Sequence, residues 1–208
     1  LAAGGTILAA KEALEGGWAM HLSGGFHHAF ADKAEGFCYL NDLAIAARVV
    51  QKDGLAEKVA IVDCDLHQGN GTAVIFQGDE SVFTFSMHQR DLYPVKQKSD
   101  LDIHLPMRVS DEEYLRHLQQ HIPRIFADFK PDLVLYQAGA DPYEHDQLGN
   151  LSLTIPGLKR RDRFIFAECK RHNIPVAATL GGGYAYRTDD TVTIHCNTCK
   201  ALLEIFAT

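Results

Sequence analysis

The sequence lacks an unbroken apolar run of the ~18 residues that a membrane-spanning helix needs. Its start shows no basic segment leading into an apolar stretch, so no secretory leader is expected. Positive charge is in deficit, with 20 Lys and Arg against 27 Asp and Glu and a net charge of −7. That balance argues against a protein that grips nucleic acid through its phosphates. The five cysteines are an odd number without the spacing of a disulfide framework. A reducing, cytoplasmic setting is expected, or a nuclear one in a eukaryote. The glycine run at 181–183 has neither the GxGxxG spacing nor the following Lys-Ser/Thr of a phosphate-binding loop.

What is present is ordinary in amount: 46% apolar and 23% charged residues over 208 positions, enough for one solid core. No repeat, low-complexity stretch or linker divides it, so residues 1–208 are read as one domain. The chain opens on Leu1 rather than Met, which leads us to expect a true start removed by processing or truncation.

Short apolar runs alternate with helical patterns. Residues 5–15, 40–51, 71–77, 111–129, 157–172 and 190–206 read as helices. Asn41 or Asp42 is the expected cap of the second, and Ser110 with Glu113 forms a capping box for the fourth, in which Pro123 predicts a kink or break. Residues 58–63, 81–87 and 132–139 read as strands buried on both faces, residues 18–25 as a short strand ending in Gly, and residues 175–183 as a strand ending in three glycines. Residues 89–100 look too irregular for an element. The alternation predicts an α/β domain in three layers around a mainly parallel sheet.

In such sheets ligands gather beyond the carboxyl ends of the strands. Five strand ends carry His27 and His28, Asp65 and His67, His88, Asp141, and Tyr184. In Asp65-Leu66-His67, residues i and i+2 of an extended segment point the same way and can meet one ion. With Asp141 they make two carboxylates and one imidazole, a set that leaves a coordination position open for water or substrate. The donor types alone do not fix the metal. His27 and His28 suit general acid and base roles, with Asp63 and Asn70 as candidate acceptors for their second nitrogens. The glycines 181–183 fit close backbone approach to a ligand, and the Tyr184 hydroxyl fits an oxyanion donor. The bland alternatives are a polar turn for the histidine pair and a surface turn for an isolated DxH. Cys196 and Cys199 read as core or surface cysteines on a helix. Lys159, Arg160, Arg161 and Arg163 read as a solvated helix face. His117, His121, His172 and His195 have no evident companions.

GGFHHA (24–29), GFCYLNDLAIA (36–46), DCDLHQGNGT (63–72), AGADPYEHDQLG (138–149) and GGGY (181–184) occur in that order. Together they resemble the histone deacetylase family, which has the arginase–deacetylase fold, over nearly the whole chain. The resemblance implies zinc held by Asp65, His67 and Asp141, tandem catalytic His27 and His28, Asp63 orienting His27, and Tyr184 polarising the acyl carbonyl. It also implies Phe37 and Tyr93 as walls of an acyl-lysine tunnel, Leu148 at the substrate linker, and Gly182 and Gly183 against the substrate. A structural K+ or Na+ would sit among Asp63, Asp65, His67, Ser86 and Met87. The implied partner is an acetylated lysine peptide or protein, or an acetylated amine.

Two departures stand out. The family's best-known members have Asp where this chain has Asn70, which should leave His28 less basic. Asn there, with KRRDRFIF (159–166), is closer to the class IV and bacterial members. The family's domain also begins well upstream of residue 3, so an N-terminally shortened domain with an exposed sheet edge is expected. Three other readings stay open: a small-molecule or acetylpolyamine amidohydrolase, an arginase-like ureohydrolase needing a second metal set, and a metal-binding fragment that is inactive or half of a swapped assembly.

Overall fold

The computed structural model describes residues 1–207. In chain order the elements are α1 (Ala2–Gly16), β1 (Trp18–His21), α2 (Asp42–Lys52), β2 (Val59–Asp63), α3 (Asn70–Ile75), β3 (Val82–Gln89), β4 (Leu101–Leu105), α4 (Asp111–Phe129), β5 (Leu133–Gln137), α5 (Ile155–His172), β6 (Val176–Thr179) and α6 (Thr188–Phe206). The strands form one sheet in the order β1-β6-β5-β2-β3-β4, and every pairing is parallel.

Alternation along the central strands explains the layering. Val59, Ile61, Leu133 and Leu135 face a core shared with α1 and α2. Ala60, Val62, Val134 and Tyr136 face the opposite core, shared with α4, α5 and α6. Successive side chains of a strand point to opposite faces, so a strand covered on both sides must be apolar throughout. Every residue of β2 and β5 is buried.

Three helix starts, those of α2, α4 and α5, are capped by side chains. Asn41 caps α2 by accepting from the Ala44 amide at 3.0 Å. Ser110 accepts from the Glu113 amide at 3.3 Å, and Thr154 from the Gly157 amide at 3.0 Å. Asp42 does not cap; its carboxylate turns to the Gly25 and Phe26 amides.

Three expectations need correction. The α4 helix runs through Pro123 without a break. Its buried stripe of Tyr114, Leu118, Ile122, Ile125 and Phe126 holds both halves against the core, and this packing overrides the missing backbone donor. Residues 101–105 form β4, an element not foreseen; its alternating Leu101, Ile103 and Leu105 with Asp102 and His104 suits an edge strand. Arg161 is not on a solvated face: it is 0% exposed. The other cations of that run are themselves partly exposed, Arg160 meeting the buried Asp111 and the exposed Glu112, and Lys159 and Arg163 meeting Glu204.

Among the described residues no helix is long and apolar enough to cross a membrane. The five cysteines are unpaired.

Candidate active site

From β2, the chain continues sideways in one direction through β3 and β4, while β5 and β6 lie on the other side. The boundary between β2 and β5 is therefore a topological switch point, where a crevice opens beyond the carboxyl ends of the strands. Asp65 and His67 follow β2 and Asp141 follows β5, so the two loops flank this crevice.

His67 Nδ1 lies 3.2 Å from Asp65 Oδ1 and 3.1 Å from Asp141 Oδ2. One ligand atom from each of the three residues lies within 4.8 Å of the others, and all three residues are buried. Among the described residues no other set of three or more His, Cys, Asp or Glu converges in this way. The electrostatics fit a cation. Burial followed by the neighbouring Asp65 charge pushes Asp141 up to about 7. Burial works against a charged His67, but its bonds to Asp141 and Asp65 outweigh that and raise it to about 10. Two buried carboxylates this close favour positive charge between them, which a divalent metal is suited to supply.

His27 and His28 follow β1 at the edge of this cluster. His27 Nδ1 meets Asp63 Oδ2 at 2.5 Å, and its Nε2 lies 3.1 Å from His28 Nε2. Burial opposes charge on His27, yet the Asp63 and Asp65 carboxylates prevail and raise it to about 9. His28 Nδ1 meets Asn70 Oδ1 at 2.7 Å. Burial and then the adjoining His27 lower His28 to about 3. The pair is thus split into one readily charged and one neutral imidazole, the less basic one being that backed by an amide.

The loop carrying the pair is pinned from below. Asp42 accepts from the Gly25 and Phe26 amides at 3.0 and 2.7 Å and from Thr6 Oγ1. Gln137 donates to the Gly25 carbonyl at 2.9 Å. The Phe37 loop is a two-residue turn, closed by paired bonds between Glu35 and Cys38, with Gly36 at φ 54° and Phe37 at φ 65°. A Cβ at Gly36 would lie 2.4 Å from the His28 ring, so only glycine fits beneath Phe37. The left-handed Phe37 is strained, of order 1–3 kcal/mol, and the residue is 82% exposed at the mouth.

The resulting cavity, about 310 Å³, is lined by His27, His28, Asp65, His67 and Asp141 at its floor and by Phe37, Tyr93, Leu148, Gly182 and Tyr184 above. Tyr93 packs edge-on to both His28 and His67, with ring centroids 5.2 and 6.1 Å apart. Phe37 and Tyr184 sit across from each other at 6.5 Å. Gly182 has φ 62° and a Cβ there would lie 2.6 Å from the Asp141 carboxyl carbon, so the glycine loop closes directly on the acidic floor. Gly183 is not part of this lining; it faces Thr191 of α6. A larger groove of about 650 Å³ lies at the other end of the strands, around Leu55, Phe126 and Pro131, away from these groups.

The side chains suggested for a monovalent ion are already engaged. Asp63 uses Oδ2 for His27 and Oδ1 for the Asp65 amide, and Ser86 Oγ pairs with His88 Nδ1 at 2.9 Å.

Three supporting residues had no sequence signal pointing to them. Asp146 accepts from the Leu148 and Tyr184 amides at 2.8 and 2.6 Å, fixing both sides of the mouth. Arg161 donates to the carbonyls of Cys64 and Gly139 at 3.2 and 2.7 Å, tying the two ligand loops together. Glu35 contacts Asn70, Tyr93 and Lys33.

Fold and site together define an α/β protein with a parallel sheet and a buried Asp-His-Asp cluster beside paired histidines. The model of the histone deacetylase domain matches residues 1–199, and the chain belongs to that family. It is 48% identical to an uncharacterised protein of Picosynechococcus over 99% of this chain and 69% of that one. It is 35% identical to histone deacetylase 2 of Arabidopsis thaliana over 87% of this chain and 48% of that protein. With a probable deacetylase of Archaeoglobus fulgidus it shares 35% identity over 89% of this chain and 55% of that one. The chain thus spans about half the length of these last two relatives. Among solved structures, the HDA15 HD domain superposes with a TM-score of 0.82 at 30% identity, over 100% of this chain and 62% of that one. The fold also matches acetylpolyamine aminohydrolase from Burkholderia pseudomallei, with a TM-score of 0.82 at 24% identity, over 100% of this chain and 61% of that one.

Proposed function

We propose that this chain is the catalytic unit of a metal-dependent deacylase that hydrolyses N-acetyl-lysine amides of histones or other proteins. The observation that carries this reading is the convergence of Asp65, His67 and Asp141 with His27, His28 and Tyr184 on one cavity. A zinc ion held by Asp65, His67 and Asp141 would supply Lewis acidity to the acyl carbonyl and to the attacking water.

The chain's own residues do the rest. His28, neutral and with Nε2 turned toward His27, accepts the proton of the attacking water. His27, which shares a proton with Asp63, supplies one to the departing amine. Tyr184, pushed up to about 12 by burial and then by Asp141, stays protonated and donates to the developing oxyanion. Phe37, Tyr93 and Leu148 enclose the acyl-lysine stem, and Gly182 lets it approach the floor. A K+ or Na+ ion near Asp63, Ser86 and Met87 rests on the family resemblance alone.

A second substrate class, acetylated polyamines or other small amines, belongs to the same chemistry. A ureohydrolase reading is disfavoured, because among the described residues only one converging ligand set exists. A panel of acyl-lysine peptides and acetylpolyamines, assayed with and without chelator, tests the proposal. Chelator-sensitive release of acetate from a peptide supports it. Turnover of polyamines alone moves the substrate, and stoichiometric zinc without any hydrolysis favours an inactive fragment.

A further inference from the structure

We propose that Glu35 is a positioning residue for His28, acting by locking the side-chain amide of Asn70 in one orientation. The geometry is independent of the deacylase reading; the catalytic consequence rests on it.

Glu35 opens the turn that carries Phe37, and its side chain is 27% exposed. The Lys33 ammonium, 2.9 Å from Oε2, and then the Asn70 amide hold its carboxyl below the usual range, so it is ionised at neutral pH. An ionised carboxylate only accepts hydrogen bonds. Glu35 Oε1, 2.8 Å from Asn70 Nδ2, therefore forces the amide nitrogen toward itself. The amide oxygen is left facing His28 Nδ1 at 2.7 Å. An oxygen there can only accept, so the His28 proton resides on Nδ1 and the lone pair of Nε2 faces the cavity and His27.

An aspartate at position 70 would need no such lock, since both of its oxygens accept. An asparagine does need one. Released from Glu35, its amide can rotate by half a turn and present NH2 to the ring, which would place the proton on Nε2 and remove the base. The Tyr93 hydroxyl donates to the same Oε1 at 3.2 Å, so the cavity wall and the amide lock share one carboxylate.

The test compares Glu35→Ala and Glu35→Gln, each in the Asn70 and the Asn70→Asp backgrounds. The measurements are kcat, KM, zinc content, thermal unfolding and the ring nitrogen signals of His28. We expect Glu35→Ala to lower kcat by about 10- to 100-fold with zinc content kept, to let the released Tyr93 wall register in KM, and to move the His28 signals toward the Nε2-protonated tautomer. Glu35→Gln, whose amide oxygen can still accept from Asn70, should retain part of the rate. In the Asn70→Asp background Glu35→Ala should lower kcat no further and leave the His28 signals unmoved. An unchanged His28 tautomer in Glu35→Ala, or an equal loss in both backgrounds, overturns the proposal. If the parent protein hydrolyses no acylated amine, the deacylase reading fails, while the nitrogen signals still decide the role of Glu35.

Discussion

The guanidinium of Arg161 donates to the carbonyl of Gly139 at 2.7 Å, two residues before Asp141. The same nitrogen donates to the carbonyl of Cys64, between Asp63 and Asp65. Arg161 Nε pairs with Asp162 Oδ1 at 2.8 Å, and that carboxylate also accepts from Tyr136 and Thr198. Breaking a buried ion pair from one side typically costs about 3–5 kcal/mol, because the other charge is stranded. Arg161→Met should therefore lower the unfolding temperature by roughly 10 °C and weaken zinc binding in competition titrations. An unchanged melting curve would show that Asp162 does not depend on Arg161.

Tyr184 is the expected oxyanion donor, and its backbone is held by Asp146 rather than by its ring. Tyr184→Phe should cut kcat by about 10²–10³, with zinc retained stoichiometrically. Turnover close to the parent rate would remove the hydroxyl from the mechanism.

Asp141→Ala removes one of the two carboxylates that hold His67. Zinc at a hundredfold excess over its Kd should stabilise the parent protein by about 2.7 kcal/mol. The variant should show no such stabilisation and no deacylation. A zinc-dependent shift in its melting temperature would refute the assignment of Asp141 as a ligand.

His195 on α6 is held below its usual value of 6.5, first by burial, with the Gly182 backbone acting in the opposite direction. The folded state thus resists a proton that the unfolded chain accepts. Below about pH 6.5 the unfolded state binds more protons, so stability falls as pH falls through that window. His195→Gln should flatten part of this acid-side slope in denaturant melts at pH 5 and 7. An identical slope in the variant would locate the effect elsewhere, with His88, fully buried and pushed down to about 3, as the next group to examine.

The residues legible in the sequence are those marked by their spacing. Asp65 and His67 stand two apart directly after an apolar run, although the structure brings them together in a bend beyond β2, with the His67 amide donating to Asp65, rather than by strand alternation, and Asp141 stands at the end of another apolar run. Both β2 and β5 announce double-sided burial through unbroken apolar composition. What stayed hidden depends on contacts between distant segments. Arg161 sits in a strongly basic run and reads as solvated; only the neighbouring Asp162 and two carbonyls from other loops permit its burial. Glu35 reaches Asn70 across 35 positions. Residues 101–105 were missed because an edge strand keeps one face wet, which dilutes the apolar signal.

The pairing of β5 with β2 has a kinetic side. Asp65 and Asp141 are joined by a long stretch of chain that includes β3, β4 and α4, and they meet only when Asp63 aligns with Gln137. Closing so long a loop is slow and comes after local helices have formed. Zinc added to the unfolded chain should then leave the refolding rate unchanged and slow only unfolding. The ion would act as a late fastener, set in place once the sheet has already chosen its order.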